Sequence, residues 1–331
     1  MTDNSGRVKP PCIHCGTIAL VKIVYLVLAH HNAPHFKRNT AALGEGGSPI
    51  FAHVDAKADE SLFRVDGINF TAKRENVRWG GWSLVQATLN LMHAASSVVE
   101  PDDYVILLSG DSYPLQSQAS ISKFLPDARN GIQYINSLPF PSPVAEKPLT
   151  RLSRLYVEYD PRSERRNVIP RAINKMKIPR PYKRAVDGRS LFCGSQWWAL
   201  TGAAFQWLMA EQVAAEKLTR FCRHMFVPDE FYFHTLLGQC PEMREVRRNL
   251  IFADWYRPTG PRPSIIDSQH VDQLSLPGAL LMENRGYLAG PALFARKFPA
   301  DSEHLISRIR EEVWPNAIPA TGAEFTGVIQ D

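Results

Sequence analysis

A chain of 331 residues, 44% hydrophobic and 21% charged, has the make-up of an ordinary globular protein and can bury a sizeable core, as one large α/β domain or two small ones. No stretch reaches the roughly 18 to 20 unbroken apolar residues of a membrane helix; the nearest, IALVKIVYLVLAHH, is broken by Lys22. The net charge of +5 is concentrated, because residues 161–190 hold ten Lys/Arg against Glu164 and Asp187, net +8, leaving −3 for the remainder.

Residues 1–20 read as a tail without the charged start, apolar middle and small-residue cleavage site of a secretory signal. Cys12, His14 and Cys15 in CIHC form half a zinc site at most, since no second CxxC completes it. An odd number of cysteines, with Cys193, Cys222 and Cys240 in apolar or helical surroundings, points to a reducing compartment. The first buried strand is VKIVYLVLAH (21–30), and SPIFAHVDAK (48–57) is a second with an acid at its carboxyl end. WSLVQATLNLMHAASSV (82–98) has helical spacing, DYVILLSGDSYPL (103–115) runs as a strand into a Gly/Pro turn, and GIQYIN (131–136) is a fourth strand. The basic stretch carries four prolines and no sustained period, which predicts a surface loop or short helices. FCGSQWWALT (192–201) is a strand and GAAFQWLMAEQVAAEKL (202–218) a helix. Pro228 and Asp229 make a turn and cap before a helix over 230–238, and 302–313 is one amphipathic helix.

Strands alternating with helices predict an α/β fold with a mostly parallel sheet, in which ligands bind beyond the carboxyl ends of strands. HVDAK, SGDSYP and GSQWW fall at such ends. The chain has no Gly-rich phosphate loop of either common type and no GxSxG, which counts against NAD(P) enzymes, P-loop enzymes and serine hydrolases. Asp229 and Glu230, side by side in FVPDEFYFHTLL, are either first-turn acids favoured by the helix dipole or reacting groups.

Eight stretches taken in order decide the matter: YLVLAHH, AHVDAK, WGGWSLVQATLNLM, DYVILLSGDSYPL, GSQWWALT, PDEFYFHTLL, ADW and LFARKF. Together they span roughly residues 21 to 300 and resemble the core-2/I-branching N-acetylglucosaminyltransferase family, glycosyltransferase family 14, which also includes peptide O-xylosyltransferases. The resemblance implies a GT-A-type nucleotide-sugar-binding fold over 21–300, with a short C-terminal phosphate-binding module and a helix and tail over 301–331. It implies inverting transfer from a UDP-sugar, UDP-GlcNAc or UDP-xylose, to a glycan or lipid-linked glycan, with no metal cofactor. A catalytically silent glycan-binding protein on the same scaffold is the reading from another class.

Carried over residue by residue, the resemblance makes Glu230 the general base, with Asp229 as its cap and brace. Lys297, and Arg262 or by a shifted alignment Arg257, hold the UDP phosphates, and Asp55 contacts uridine. His53 beside it reads as a packed strand residue. Trp197 and Trp198 alternate across a strand, so at most one faces a sugar, and Trp255 is the better acceptor-side candidate. The family reads Ser-Gly-x-Asp-aromatic-Pro, whereas SGDSYP puts Asp111 one position early and Ser112 where the Asp belongs. With no anchor or disulfide pattern evident, the expected setting is bacterial-type and cytoplasmic, at the inner face of the membrane. There the basic stretch would meet anionic lipid at about 1 kcal/mol per cation. Nucleic acid is not an expected partner, because those cations lack the interleaved aromatics of a single-strand platform.

Overall fold

The structure, a computed structural model, describes residues 21–160, 167–255, 262–284, 287–316 and 318. Cys12, His14, Cys15, Arg162, Glu164, Arg165, Arg166 and Arg257 lie outside the described residues.

The first half comprises β1 (Ile23–Ala29), α1 (Ala33–Gly44), β2 (Ile50–Val54), β3 (Ile68–Phe70), α2 (Trp82–Ala95) and β4 (Tyr104–Ser109). There follow β5 (Tyr113–Pro114), α3 (Gln118–Phe124), β6 (Ile132–Pro139), α4 (Thr150–Ser153), α5 (Val168–Lys175), α6 (Tyr182–Val186) and β7 (Phe192–Thr201). Next come α7 (Gly202–Ala214), α8 (Glu216–Cys222), α9 (Tyr232–Leu237), β8 (Glu245–Arg247) and β9 (Ile251–Ala253). The last are α10 (Ser268–Leu274), β10 (Leu281–Asn284), β11 (Tyr287–Pro291), β12 (Phe294–Arg296) and α11 (Glu303–Arg308).

Among the described residues the main sheet has seven strands in the order β3-β2-β1-β4-β7-β6-β8. The β3-β2-β1-β4 half and the β6-β8 pair are parallel, while β7 runs antiparallel to both its neighbours. The unbroken apolar run of β1 follows from this topology. It lies between β2 and β4 with every residue buried, so neither face needs polar side chains. A three-stranded sheet, β5-β12-β9, carries a second apolar cluster that includes Tyr113, Val271, Phe298, Leu305 and Ile309. It holds β12, and with it Lys297, against the turn that follows β4.

Helical propensity alone placed several boundaries differently. The helix expected over 202–218 divides at Ala215, whose φ of −83° and ψ of 39° leave the helical region. The C-terminal helix begins as α11 and finishes in a wider π turn at Ile309–Val313. The described part of the basic stretch, residues 167–190, carries the short helices α5 and α6, as its prolines and lack of period allow.

Candidate active site

The acid pair sits at the point where the chain enters α9, but in a different conformation from that expected. Pro228–Glu230 form a 3-10 turn entered from Val227 in the left-handed region, at φ 54° and ψ 57°. Phe231, not Asp229, stands before α9, and no side chain caps that helix. The expectation that Asp229 caps a helix, with both acids in its first turn, is therefore corrected. Two cations hold Glu230 instead. Arg151 of α4 donates from Nη1 to Glu230 Oε2 at 2.8 Å, and Lys147 just before α4 donates to the same oxygen. Burial works to raise the Glu230 carboxyl, but Lys147 and Arg151 outweigh it and hold the group below the ordinary glutamate range.

Asp229 moves the other way. It is buried, its Oδ1 has no hydrogen-bond partner among the described residues, and burial together with the Glu230 charge pushes it up. Adjacent carboxyls displaced in opposite directions divide the labour: one holds a proton while its neighbour is free to take one. His234 closes the site from α9, donating from Nε2 to Ser195 O at 2.9 Å, and burial lowers it to about 4, which keeps it neutral.

The two cations carry a testable consequence. Without them burial acts on Glu230 unopposed, so Lys147→Met with Arg151→Leu should raise its pKa above the ordinary glutamate range. A base works only when ionised, so activity falls as pH drops through that pKa. The acid limb of kcat/KM should therefore move to higher pH in the variant. Lost activity with an unmoved limb would restrict Lys147 and Arg151 to folding. The same lowered pKa stabilises the native state above the ordinary glutamate pKa, a gain lost as pH falls through the folded value.

The second group lies where α/β sheets bind ligands, at the carboxyl ends of β1, β2 and β4, joined by the residues after β12. Asp55 ends β2, buried, and accepts from Lys57 N at 2.9 Å and Lys57 Nζ at 2.8 Å. His53 is packed as expected, its Nε2 accepting from Glu75 N at 2.9 Å. Asp111 is buried in the turn after β4, and its carbonyl accepts from Phe298 N at 2.9 Å. Its Oδ1 lies 3.7 Å from His31 Nε2, while Oδ2 has no hydrogen-bond partner among the described residues.

Lys297 is half-buried. Burial lowers it to about 8, with Arg296 and Arg262 acting in the same direction and Asp111 opposing them. Arg296 is lowered by burial to about 10; its Nε is unpartnered among the described residues, and its guanidinium lies 4.7 Å from the Trp197 ring centroid. His30, at the end of β1, feels the charges of Asp111, Lys297 and Asp55 together, which ties the cluster into one field.

The structure thus brings Lys297, Arg262, Asp111 and the Asp55 strand end together and keeps Glu230 apart from them. β7 joins the two groups. Cys193 at one end senses the Glu230 charge, and Trp197, four residues on, lies under Arg296. Trp197 is corrected as a sugar-facing candidate: at 8% exposure it packs in the core and supports Arg296, and Trp198 is buried beside it. Trp255 is 46% exposed, next to a buried Asp254 that faces His270 at 3.2 Å. Ser112 is buried, and its carbonyl accepts from His35 Nε2 at 2.9 Å.

Sequence reasoning passed over Lys147, Arg151 and Arg296. Arg296 was legible, as the neighbour of Lys297 in LFARKF. Lys147 and Arg151 lie 83 and 79 residues from Glu230 in a stretch with no recognisable spacing, so no local signal marks them. Among the described residues no three His, Cys, Asp or Glu side chains come together as metal ligands, and no helix is long and apolar enough to cross a membrane.

A mixed sheet of this order, flanked by helices, with fixed cations gathered at its carboxyl edge, is that of a GT-A-like glycosyltransferase. The profile described as Core-2/I-Branching enzyme matches residues 22–275, and the chain belongs to that family. It is 27% identical over 255 residues to xylosyltransferase 1 of Mus musculus, covering 72% of this chain and 25% of the relative. Xylosyltransferase 2 of Rattus norvegicus is 26% identical over 255 residues, 73% of this chain and 27% of its own. N-acetyllactosaminide beta-1,6-N-acetylglucosaminyl-transferase of Mus musculus is 27% identical over 223 residues, 65% of this chain and 52% of its own. The match thus spans about a quarter of the xylosyltransferases and half of the N-acetylglucosaminyltransferase.

Proposed function

We propose that the protein transfers a sugar, with inversion and without a metal, from a UDP-sugar to a hydroxyl of a glycan or glycolipid acceptor, and that the sugar is GlcNAc. One observation carries the general-base part of this reading: both cations bind Glu230 through Oε2, and among the described residues none bonds to Oε1. An ionised carboxylate held by one oxygen, with the other available, is arranged to accept a proton.

In the proposed reaction Oε1 removes the acceptor hydroxyl's proton as that oxygen forms a bond to C1 of the sugar. The bond from C1 to the β-phosphate oxygen breaks, and its electron pair leaves with UDP. Lys297, Arg262 and Arg296 meet the charge that develops on the leaving phosphate, the task a metal ion performs elsewhere. Asp55 serves the uridine and Trp255 the acceptor side. Burial and the Glu230 charge raise Asp229, which favours a single negative charge on the pair, at Glu230.

The xylosyltransferases among the relatives favour UDP-xylose as the second donor reading. A screen for UDP release across UDP-GlcNAc, UDP-xylose, UDP-glucose and UDP-galactose tests both, with and without EDTA. Transfer should survive excess EDTA and gain little from manganese. Reversible loss in EDTA would overturn the charge-replacement part. Release from none of the donors would favour a silent glycan-binding protein.

A further inference from the structure

Helix α5 is mounted inside out. At about 100° per residue, Val168, Ile169, Ala172, Ile173 and Met176 fall within an arc of about 140°. Such an arc normally turns toward the core, but here it does not. Val168 is 66% exposed, Ile169 73% and Met176 69%, and no residue of the helix is buried. The polar side does the anchoring instead. Asn174, opposite the centre of the arc, accepts from Val157 N at 2.8 Å and donates to Val157 O at 2.9 Å. The helix is thereby held to the body by its amide, with its apolar face outward.

Charge surrounds this face. Arg171 and Lys175 lie along one edge of the arc, and Lys177, Lys183 and Arg184 are exposed on the chain that follows. Residues 167–190 hold seven Lys/Arg and one acid, Asp187. Beyond them a groove of about 470 Å³ is lined by Arg180, Arg184, Lys217, Arg220 and Phe221. An exposed apolar stripe edged by cations matches a bilayer of anionic lipid, where the side chains enter the acyl boundary and the cations meet headgroup phosphates.

We propose that α5 docks the protein on an anionic lipid surface, with Val168, Ile169 and Met176 inserted and Arg171, Lys175 and Lys177 at the headgroups. Leu155 and Val157 pair with Ile178 and Asn174, while Arg151, a few residues earlier in the chain, holds Glu230. The docking goes beyond the transfer reaction and is read without donor or acceptor, so either idea can fail alone.

The test is flotation of the whole chain with vesicles of phosphatidylglycerol and phosphatidylcholine, and with phosphatidylcholine alone. The parent should float with the anionic vesicles at low salt and release as salt screens the cations. Ile169→Glu with Met176→Glu should weaken partitioning by about tenfold or more even at low salt, because apolar burial supplies part of the binding. Lys175→Gln with Lys177→Gln should lower the salt at which release occurs. Ile169→Trp should show blue-shifted emission with anionic vesicles, and quenching by lipids brominated on the acyl chain. Failure of the parent to float would overturn the proposal. Flotation indifferent to the Glu substitutions would do the same, as would a lipid-free dimer that the Glu substitutions dissolve, which would make a second copy the occupant.

Discussion

Glu230→Gln is expected to cut turnover a hundredfold or more while leaving the thermal transition and UDP affinity close to those of the parent. Glutamine keeps the shape of the side chain and can still accept from Lys147 and Arg151 through its carbonyl oxygen, so the local packing survives. What it loses is the capacity to take a proton, and a positioned general base is worth about 10² to 10⁴ in rate. Asp229→Asn is the companion experiment. Burial already favours the protonated form of Asp229, so a neutral amide should change the rate far less. The measurement is single-turnover transfer with the preferred donor, beside a circular-dichroism melt and UDP titration. Activity of Glu230→Gln within a few-fold of the parent would move the base elsewhere, with Asp229 next. Loss of UDP affinity along with turnover would show that the substitution disturbs the site as a whole.

Lys297→Met should act on the second group, beside Trp197 in the middle of β7, and through a different observable. The side chain is half-buried beside Arg296, with Asp111 as the opposing charge, so its ammonium is poorly solvated and available to a phosphate. A hydrogen bond to a charged group contributes about 1.5 to 3 kcal/mol, which corresponds to roughly 10- to 150-fold in Kd for UDP. Turnover should fall as well, because the same cation meets the charge that grows on the leaving group. The pH dependence supplies an independent check. Burial lowers Lys297 to about 8, so the free protein loses this cation as pH rises through that value, and UDP affinity should weaken on the alkaline side. Lys297→Met should bind weakly at all pH values and lack that alkaline limb. Calorimetry of UDP binding from neutral to alkaline pH reads both effects. An unchanged Kd for UDP in Lys297→Met would remove this residue from the phosphate site.

The strands of the donor half were readable from the order of residues, and the acid motif through the family resemblance. β1, β2 and β4 are short apolar runs ending in polar residues, a pattern imposed by burial on both faces of a sheet, and they appear where that pattern lies. Asp55 was legible as an acid at the end of a strand, whereas Lys297 and Arg262 were reached only through the family resemblance. Tertiary structure alone decided what acts on them. The charge state of Glu230 depends on Lys147 and Arg151, brought from 83 and 79 residues away by the return of the chain along β6 and α4. Trp197 became a support for Arg296 instead of a sugar platform because β7 lies inside the sheet with its indole covered. Asp111, one position out of the family register, still faces Lys297, because the turn after β4 is pinned through its backbone to Phe298. The outward face of α5 was equally beyond reach. Periodicity reports that a helix has an apolar side, whereas a pair of hydrogen bonds between Asn174 and Val157 decides which way that side points.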